Sequence, residues 1–537
     1  MSNPFAAALS KISRRPDHDH DAVVLELAGP YQAMGPTHPL KALLQRVESL
    51  ESLAARVRRL QDNEQVRTVL VRVSGLTCGL AGAQAISRLL AELAEHKRVV
   101  AHLQSVSMVS VLATAGATEV VAPRSAEVLL FGFGAEQLFL GKFLRTHGVE
   151  FENLRIREYK SALTRFSDDQ MDEHNREQLT AYLDSAEAEW VDQIARAREL
   201  PRETVAGWLT AGIGTAAEAQ RAGVVHRVAY EDELVTDLAD SPASGVEVLL
   251  DRLEQRGKRA GQRVAVVPVV GAIVSGRPQS VPLPPPFGPG PMAWSGVVIE
   301  ALRRAKADER TSAIVLYVDS GGGSALASDL ICREIETSTK PVVAVMGEVA
   351  GSGGYYVLAK ADKVLASPFT LTGSIGVVSG KPVLAEFHQR HGFTPEAVGR
   401  EQALMSSTAR KYTDEQRAWV EDMMEEVYRQ FTGVVAEGRG LPVERVDEIG
   451  RGRIWSGRDA REIDLIDDYG DLDSAIAEAR RMAGLDEDAP TWVPTPKRSL
   501  LPTTEVGRSV ESGLLARLWP FGGERVLAWM DAPIRVH

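Results

Sequence analysis

Cysteine is nearly missing: the 537 residues hold only 2, Cys78 and Cys332. A disulfide framework and a multi-cysteine zinc site are therefore excluded. So few thiols suit a reducing compartment. A basic excess is also lacking. The formal net charge is −12, so a broad nucleic-acid surface is not expected. No apolar run reaches the ~18–20 residues that span a bilayer. The best candidate, Val264–Val274, is short and contains Pro268. Lys11, Arg14 and Arg15 follow the apolar piece of the first fifteen residues, the reverse of a secretory signal. The expected location is cytoplasmic or peripheral to a membrane. What is present is ordinary for globular proteins, with 44% hydrophobic and 25% charged residues. That balance excludes a disordered chain, a collagen and a coiled-coil rod. The length predicts two to four domains.

Strand and helix patterns alternate along the chain. Asp21–Leu27 predicts a strand, Leu40–Leu60 a helix, and Thr68–Val73 a strand. A helix near Ala83–Glu95 and strands at Arg98–Leu103 and Glu119–Ala122 follow. The second half predicts strands at Arg263–Val270, Ala313–Val318, Pro341–Val345 and Lys363–Ala366, with helices at Val297–Lys306 and Ala327–Thr337. Continuous β-branched runs between helices point to buried parallel strands in an α/β fold. The halves also match in sequence. Val99-Val-Ala101 answers Val342-Val-Ala344, and Leu200-Pro-Arg-Glu-Thr-Val205 answers Leu441-Pro-Val-Glu-Arg-Val446. These pairs are offset by 243 (342−99) and 241 (441−200) positions, so two homologous units are expected. We divide the chain into an N-terminal segment (1–20), a first unit (21–240), a linker (241–262), a second unit (263–485) and a tail (486–537). Pro278–Pro291 predicts an extended loop. The apolar end of the tail, Leu514–Trp529, fits either a segment docked on the body or an interfacial membrane contact.

Three stretches of the second unit could carry chemistry. In Gly347-Glu-Val-Ala-Gly-Ser352-Gly-Gly-Tyr-Tyr356 a serine stands at a strand-to-helix turn. Free backbone N–H groups and the positive helix end there suit a developing oxyanion. By itself the stretch also fits a turn whose serine only caps a helix. Tyr317-Val-Asp-Ser-Gly-Gly-Gly-Ser324 places three glycines at a strand end, without the lysine of a P-loop. Ala366–Gly376 contains Leu371-Thr-Gly-Ser374-Ile-Gly376. Elsewhere, Asp17-His-Asp-His-Asp21 reads as a solvated tail rather than a metal site. Ser352 with His388 or His391 makes a poor hydrolase triad, because Ala350 replaces the first glycine of G-x-S-x-G.

Together these stretches resemble the ClpP/crotonase superfamily, and within it the long, tandem-repeat form of the signal peptide peptidase SppA (protease IV) family. The resemblance covers roughly residues 20–485. It implies two tandem ClpP/crotonase-like α/β domains with parallel β-sheets flanked by helices. It implies a serine endopeptidase with a Ser–Lys dyad, Ser352 as nucleophile and a lysine base from the first unit. Glu158-Tyr-Lys160-Ser-Ala162 matches the family segment that holds this base. The second unit has no lysine in the matching Gln402–Ser407, and the first has Ser107-Met-Val-Ser110 in place of the Ser352 motif. The resemblance further assigns oxyanion donors at Gly353 and Gly322, and Ser374 as partner of the lysine amine. The family usually has proline where this chain has Gly321, and many members have an N-terminal membrane anchor not detected here.

The implied substrates are short, unfolded or hydrophobic peptides, including cleaved signal peptides, with no cofactor, metal or nucleic acid. The family also implies a homo-oligomer, as a tetramer. Two alternatives are a catalytically weakened scaffold of the same fold and an acyl-CoA-handling crotonase-like enzyme.

Overall fold

The computed structural model describes residues 22–34, 49–231, 233–234, 261–277, 291–398, 401–494 and 527–530. The segment with His18 and His20, nearly all of the linker, the proline loop to residue 290 and the tail from 514 to 526 lie outside them.

Two largely parallel sheets repeat one plan. In the first, Ala22–Gly29, Thr68–Leu76, Arg98–Leu103, Glu119–Ala122 and Arg227–Val228 lie side by side in that order. In the second, Arg263–Val270, Thr311–Ser320 and Val342–Gly351 are neighbours. Val342–Gly351 then pairs with both Lys363–Ala366 and Leu371–Gly373. Runs such as Val69-Leu-Val71 and Val264-Ala-Val-Val267 are buried along their whole length, as strands covered by helices on both faces require. The fold is thus tandem α/β with flanked parallel sheets.

One element differs from the sequence expectation in a way that matters for the site. The strand expected over Pro341–Val345 continues to Gly351. The helix that opens after Ser352 is short and covers only Gly353–Tyr356. Ser352 therefore stands at the tip of a long strand.

A third, mixed sheet joins the units. Its order is Met292–Trp294, Ala272–Val274, Gly322–Ser324, Leu527–Trp529, Val378–Val383 and Glu150–Arg155. Glu150–Arg155 of the first unit runs antiparallel to Val378–Val383 of the second, from Val378↔Arg155 to Val383↔Glu150. The long helix Glu173–Ala197 supports the same joint. Its Gln178 Oε1 accepts from Ile454 N at 3.1 Å, and Tyr182 donates to the Phe369 carbonyl at 3.1 Å. Phe369 packs within the first unit's core. No helix among the described residues is long and apolar enough to cross a membrane. Leu527 and Ala528, the described end of the apolar tail, are buried in the third sheet.

Candidate active site

Ser352 is fully buried, with φ 54° and ψ −118°. Such a backbone is strained for a residue with a Cβ and persists only when its surroundings hold it. Here Ser352 N donates to the Gly373 carbonyl at 2.8 Å, and the serine makes no side-chain cap bond to its helix. The hydroxyl is thereby left for other partners. Gly353 and Gly354 follow because nothing larger fits. A Cβ on Gly354 would lie 2.2 Å from the Ser320 carbonyl, and one on Gly353 would lie 2.5 Å from Ser328 Oγ.

Lys160 reaches this hydroxyl from the other unit. The strand Glu150–Arg155 is locked to Val378–Val383, and the chain then turns through Arg157, φ 72°, into Glu158–Ser161. The neighbours of Lys160 are tied down on both sides. Glu158 pairs with Arg451 at 2.9 Å, and the Arg453 guanidinium lies 5.1 Å from the Tyr159 ring centre. Between them Gly452, φ 84°, presses on the lysine stem: a Cβ there would come within 2.6 Å of Lys160 Cβ. The side chain is 1% exposed. Its Nζ lies 2.7 Å from Ser352 Oγ, 2.8 Å from the Ser374 carbonyl oxygen and 3.0 Å from Ser374 Oγ. Ser374 also has positive φ, 51°, and its N–H donates to the Arg453 carbonyl at 2.6 Å. Desolvation lowers the Lys160 ammonium well below its ordinary value, because burial penalises the charged form.

The glycine turn closes the third side. Gly322 has φ 91°, and a Cβ there would lie 2.5 Å from Gly353 N. The two glycines named in the sequence therefore meet. The Gly322 N–H, however, donates to Ser320 Oγ at 3.0 Å. That donor is held by the chain's own hydroxyl. Neither His388 nor His391 is a hydrogen-bond partner of Ser352. They lie on the helix Ala385–His391, and Phe387 has its ring centre 4.4 Å from that of His391.

Three features escaped the sequence reading. Gly452, which walls the lysine, carries no signal beyond being a glycine in a loop, and Gly376, beside it, was visible only as the end of the Leu371–Gly376 stretch. Glu348 was visible as a lone acid among apolar residues. It is half-buried, and its carboxylate accepts from Ala81 N at 3.1 Å and Gly82 N at 2.8 Å, at the start of the first unit's helix Leu80–Ala94. Burial, with Asp319 nearby, pushes its carboxyl up to about 7. The third is the strand Leu527–Trp529, which lies beside the glycine turn.

Comparison with known proteins gives a consistent picture. The model of peptidase family S49 matches residues 91–245 and 334–486. The chain is 30% identical over 448 residues to "Serine protease SPPA, chloroplastic" of Arabidopsis thaliana, covering 81% of this chain and 66% of that protein. It is 26% identical to "Protease 4" of Haemophilus influenzae over 82% of this chain and 73% of that one. "Protease 4" of Salmonella typhi is 28% identical over 67% of this chain and 59% of its own length. The chain thus spans about two thirds of the length of these relatives.

Proposed function

The chain belongs to peptidase family S49, and from that premise we propose that it is a serine endopeptidase acting through Ser352 and Lys160 on short, unfolded or hydrophobic peptides. One observation carries the reading: the 2.7 Å approach of Lys160 Nζ to Ser352 Oγ inside a buried site. A neutral lysine amine has two N–H groups and one lone pair. Its three neighbours match that count. The Ser374 carbonyl and hydroxyl oxygens accept the two N–H groups, and the lone pair accepts the Ser352 proton. An ammonium would have no lone pair to offer, so the lowered lysine pKa is required by the chemistry.

Ser352 Oγ attacks the peptide carbonyl carbon while its proton passes to Lys160 Nζ. The oxyanion forms beside the Gly353 N–H, with Gly322 as second donor once a substrate draws its N–H away from Ser320. The tetrahedral intermediate collapses, the C–N bond breaks, and Lys160 returns the proton to the leaving amine. A water molecule, deprotonated by the neutral lysine, then hydrolyses the acyl-serine. Ser374 positions the amine and takes no part in bond exchange. The family resemblance also supports assembly into about four chains, which sedimentation at micromolar concentration tests.

Labelling by a serine-reactive phosphonate tests the dyad. The full chain is expected to react at Ser352. Lys160→Ala is expected to fold and to react at least about a hundredfold more slowly. Equal labelling of the two proteins would remove Lys160 as the base.

A further inference from the structure

The third sheet contains a slot one strand wide. On one side is the glycine strand Gly322–Ser324, and on the other is Val378–Val383. The slot is filled by the chain's own Leu527–Trp529. This strand runs antiparallel to the glycine strand, with Gly322↔Trp529, Gly323↔Ala528 and Ser324↔Leu527 as partners. On its other edge Leu527 pairs with Val378. Just beyond, Met530 N donates to the Gly321 carbonyl at 2.7 Å. A short extended segment held between two sheet edges by its main chain is in the binding mode expected of a peptide ligand.

Its position relative to the dyad is equally specific. The Ala528 carbonyl oxygen lies beside the two glycines expected to hold an oxyanion. A Cβ on Gly322 would lie 2.1 Å from it, and one on Gly353 2.8 Å. The Met530 side chain covers Gly351, the residue before Ser352; a Cβ there would come within 2.4 Å of Met530 Cε. The pocket that takes this side chain has an apolar wall of Tyr182, Leu371 and Ile454. Its other side is polar, with Ser161, Asn175, Gln178 and Ser374. Leu527 packs on Ala162 and Leu163, which follow Lys160. The tail thus touches both units at the place where the dyad is assembled.

We propose that residues 527–530 are a built-in competitive occupant of the peptide-binding slot, displaced when a substrate strand enters. The proposal rests on the peptidase reading of the site. The glycine strand grips almost entirely through its backbone, because two of its three residues have no side chain. Any extended peptide can therefore make the same main-chain bonds. Selectivity falls to the pocket under Met530, which fits an apolar, unbranched side chain. The substrate class that follows is an extended peptide carrying such a residue.

The test needs no turnover. A fluorescent peptide with the sequence of residues 525–532 is titrated into three proteins, each carrying Ser352→Ala: the full chain, a chain ending at Glu524, and the full chain with Met530→Asp. A tethered occupant acts at an effective concentration of about millimolar, so removing it is expected to tighten peptide binding about tenfold for an intrinsic Kd near ~0.1 mM. Met530→Asp places a charge against the apolar wall of Tyr182, Leu371 and Ile454, is expected to expel the tail without shortening the chain, and so to reproduce the gain. A folded truncated chain that binds no better than the full chain overturns the proposal. So does Met530→Asp with unchanged affinity, which also decides the matter if truncation prevents folding. Tighter binding in a protein whose wild type hydrolyses no peptide would remove the peptidase reading and leave the occupant. Hydrolysis without the binding gain would do the reverse.

Discussion

Ser107 and Ser352 stand at the same strand-to-helix turn in the two units. Ser107 has φ −115° and ψ 167°, an ordinary N-cap backbone. Its Oγ accepts from Ser110 N at 3.2 Å, while Ser107 N donates to Ser110 Oγ at 2.8 Å. Both groups are consumed in closing the helix Met108–Ala113, a reciprocal cap. Ser352 has the strained backbone and no cap bond, and its hydroxyl faces Lys160. A serine spent on local stability has nothing left for chemistry. A serine kept from its helix must be held by something else, here the Gly373 carbonyl and the flanking glycines.

The neighbouring turn shows the same divergence. At an offset of 243 (322−79), Gly79 corresponds to Gly322. Beside Gly322 lies a carbonyl oxygen of the tail. Beside Gly79 lies the carboxyl group of Glu348, so close that a Cβ on the glycine would sit 2.2 Å from Glu348 Cδ. The first unit's turn is thus filled by a side chain from the second. In exchange, the first unit sends Lys160 into the second unit's turn.

Five substitutions sharpen this contrast, and the largest effect is expected at Ser352, the proposed nucleophile. Ser352→Ala is expected to lower kcat by about 10⁶, as loss of the nucleophile does in serine hydrolases. Ser107→Ala should leave kcat within about twofold, since its hydroxyl is already committed to a cap. Peptide turnover of the purified variants checks both. A comparable loss in Ser107→Ala would mean that the two turns have not diverged.

Lys160→Arg is expected to cost about 10²–10⁴ in turnover, because a guanidinium stays protonated and cannot act as a base. In the wild type, kcat/KM should rise with pH along a limb well below the ordinary lysine value of about 10.4. Lys160→Met tests stability. The folded pKa is depressed, so between it and the ordinary value the folded chain binds fewer protons than the unfolded one. Wild-type stability therefore rises with pH through that window. Lys160→Met should remove this slope and raise Tm at pH 7 while abolishing turnover. An unchanged or lowered Tm would speak against a base whose burial costs stability.

Glu348 has the opposite sign. Its folded pKa is raised from 4.5 to about 7, so the folded chain holds the proton more tightly. Stability falls as pH rises through that window and is level above it. Glu348→Gln should therefore gain stability relative to wild type between pH 5 and pH 8, by about 3 kcal/mol at most. Urea unfolding at the two pH values checks this. The smallest effect is expected at the first unit's cap, where Ser107→Ala should lose about 1 kcal/mol of stability.

Much of the sheet structure was legible in the sequence. Arg98–Leu103, Glu119–Ala122, Arg263–Val270 and Lys363–Ala366 fall where their β-branched runs predict, because buried parallel strands announce themselves by composition. The joint between the units was not legible. Glu150–Arg155 has only two apolar residues, Phe151 and Leu154, three apart, and nothing local says that its partner is Val378–Val383. The tail strand has three residues, too few for periodicity to register. Within the site, the glycine-flanked Ser352 carries a local signal. Lys160 carries none: its burial comes from Gly376 and Gly452, remote in sequence. Only resemblance to a family singled it out.

The distance between Lys160 and Ser352 along the chain, 192 positions, has a consequence for timing. A ribosome adds about 5–20 residues per second, so Lys160 emerges roughly 10–40 s before Ser352. During that interval its amine faces water and carries an ordinary charge. The second unit must dock before burial drives the proton off. On the proposed reading the base is therefore a product of completed folding.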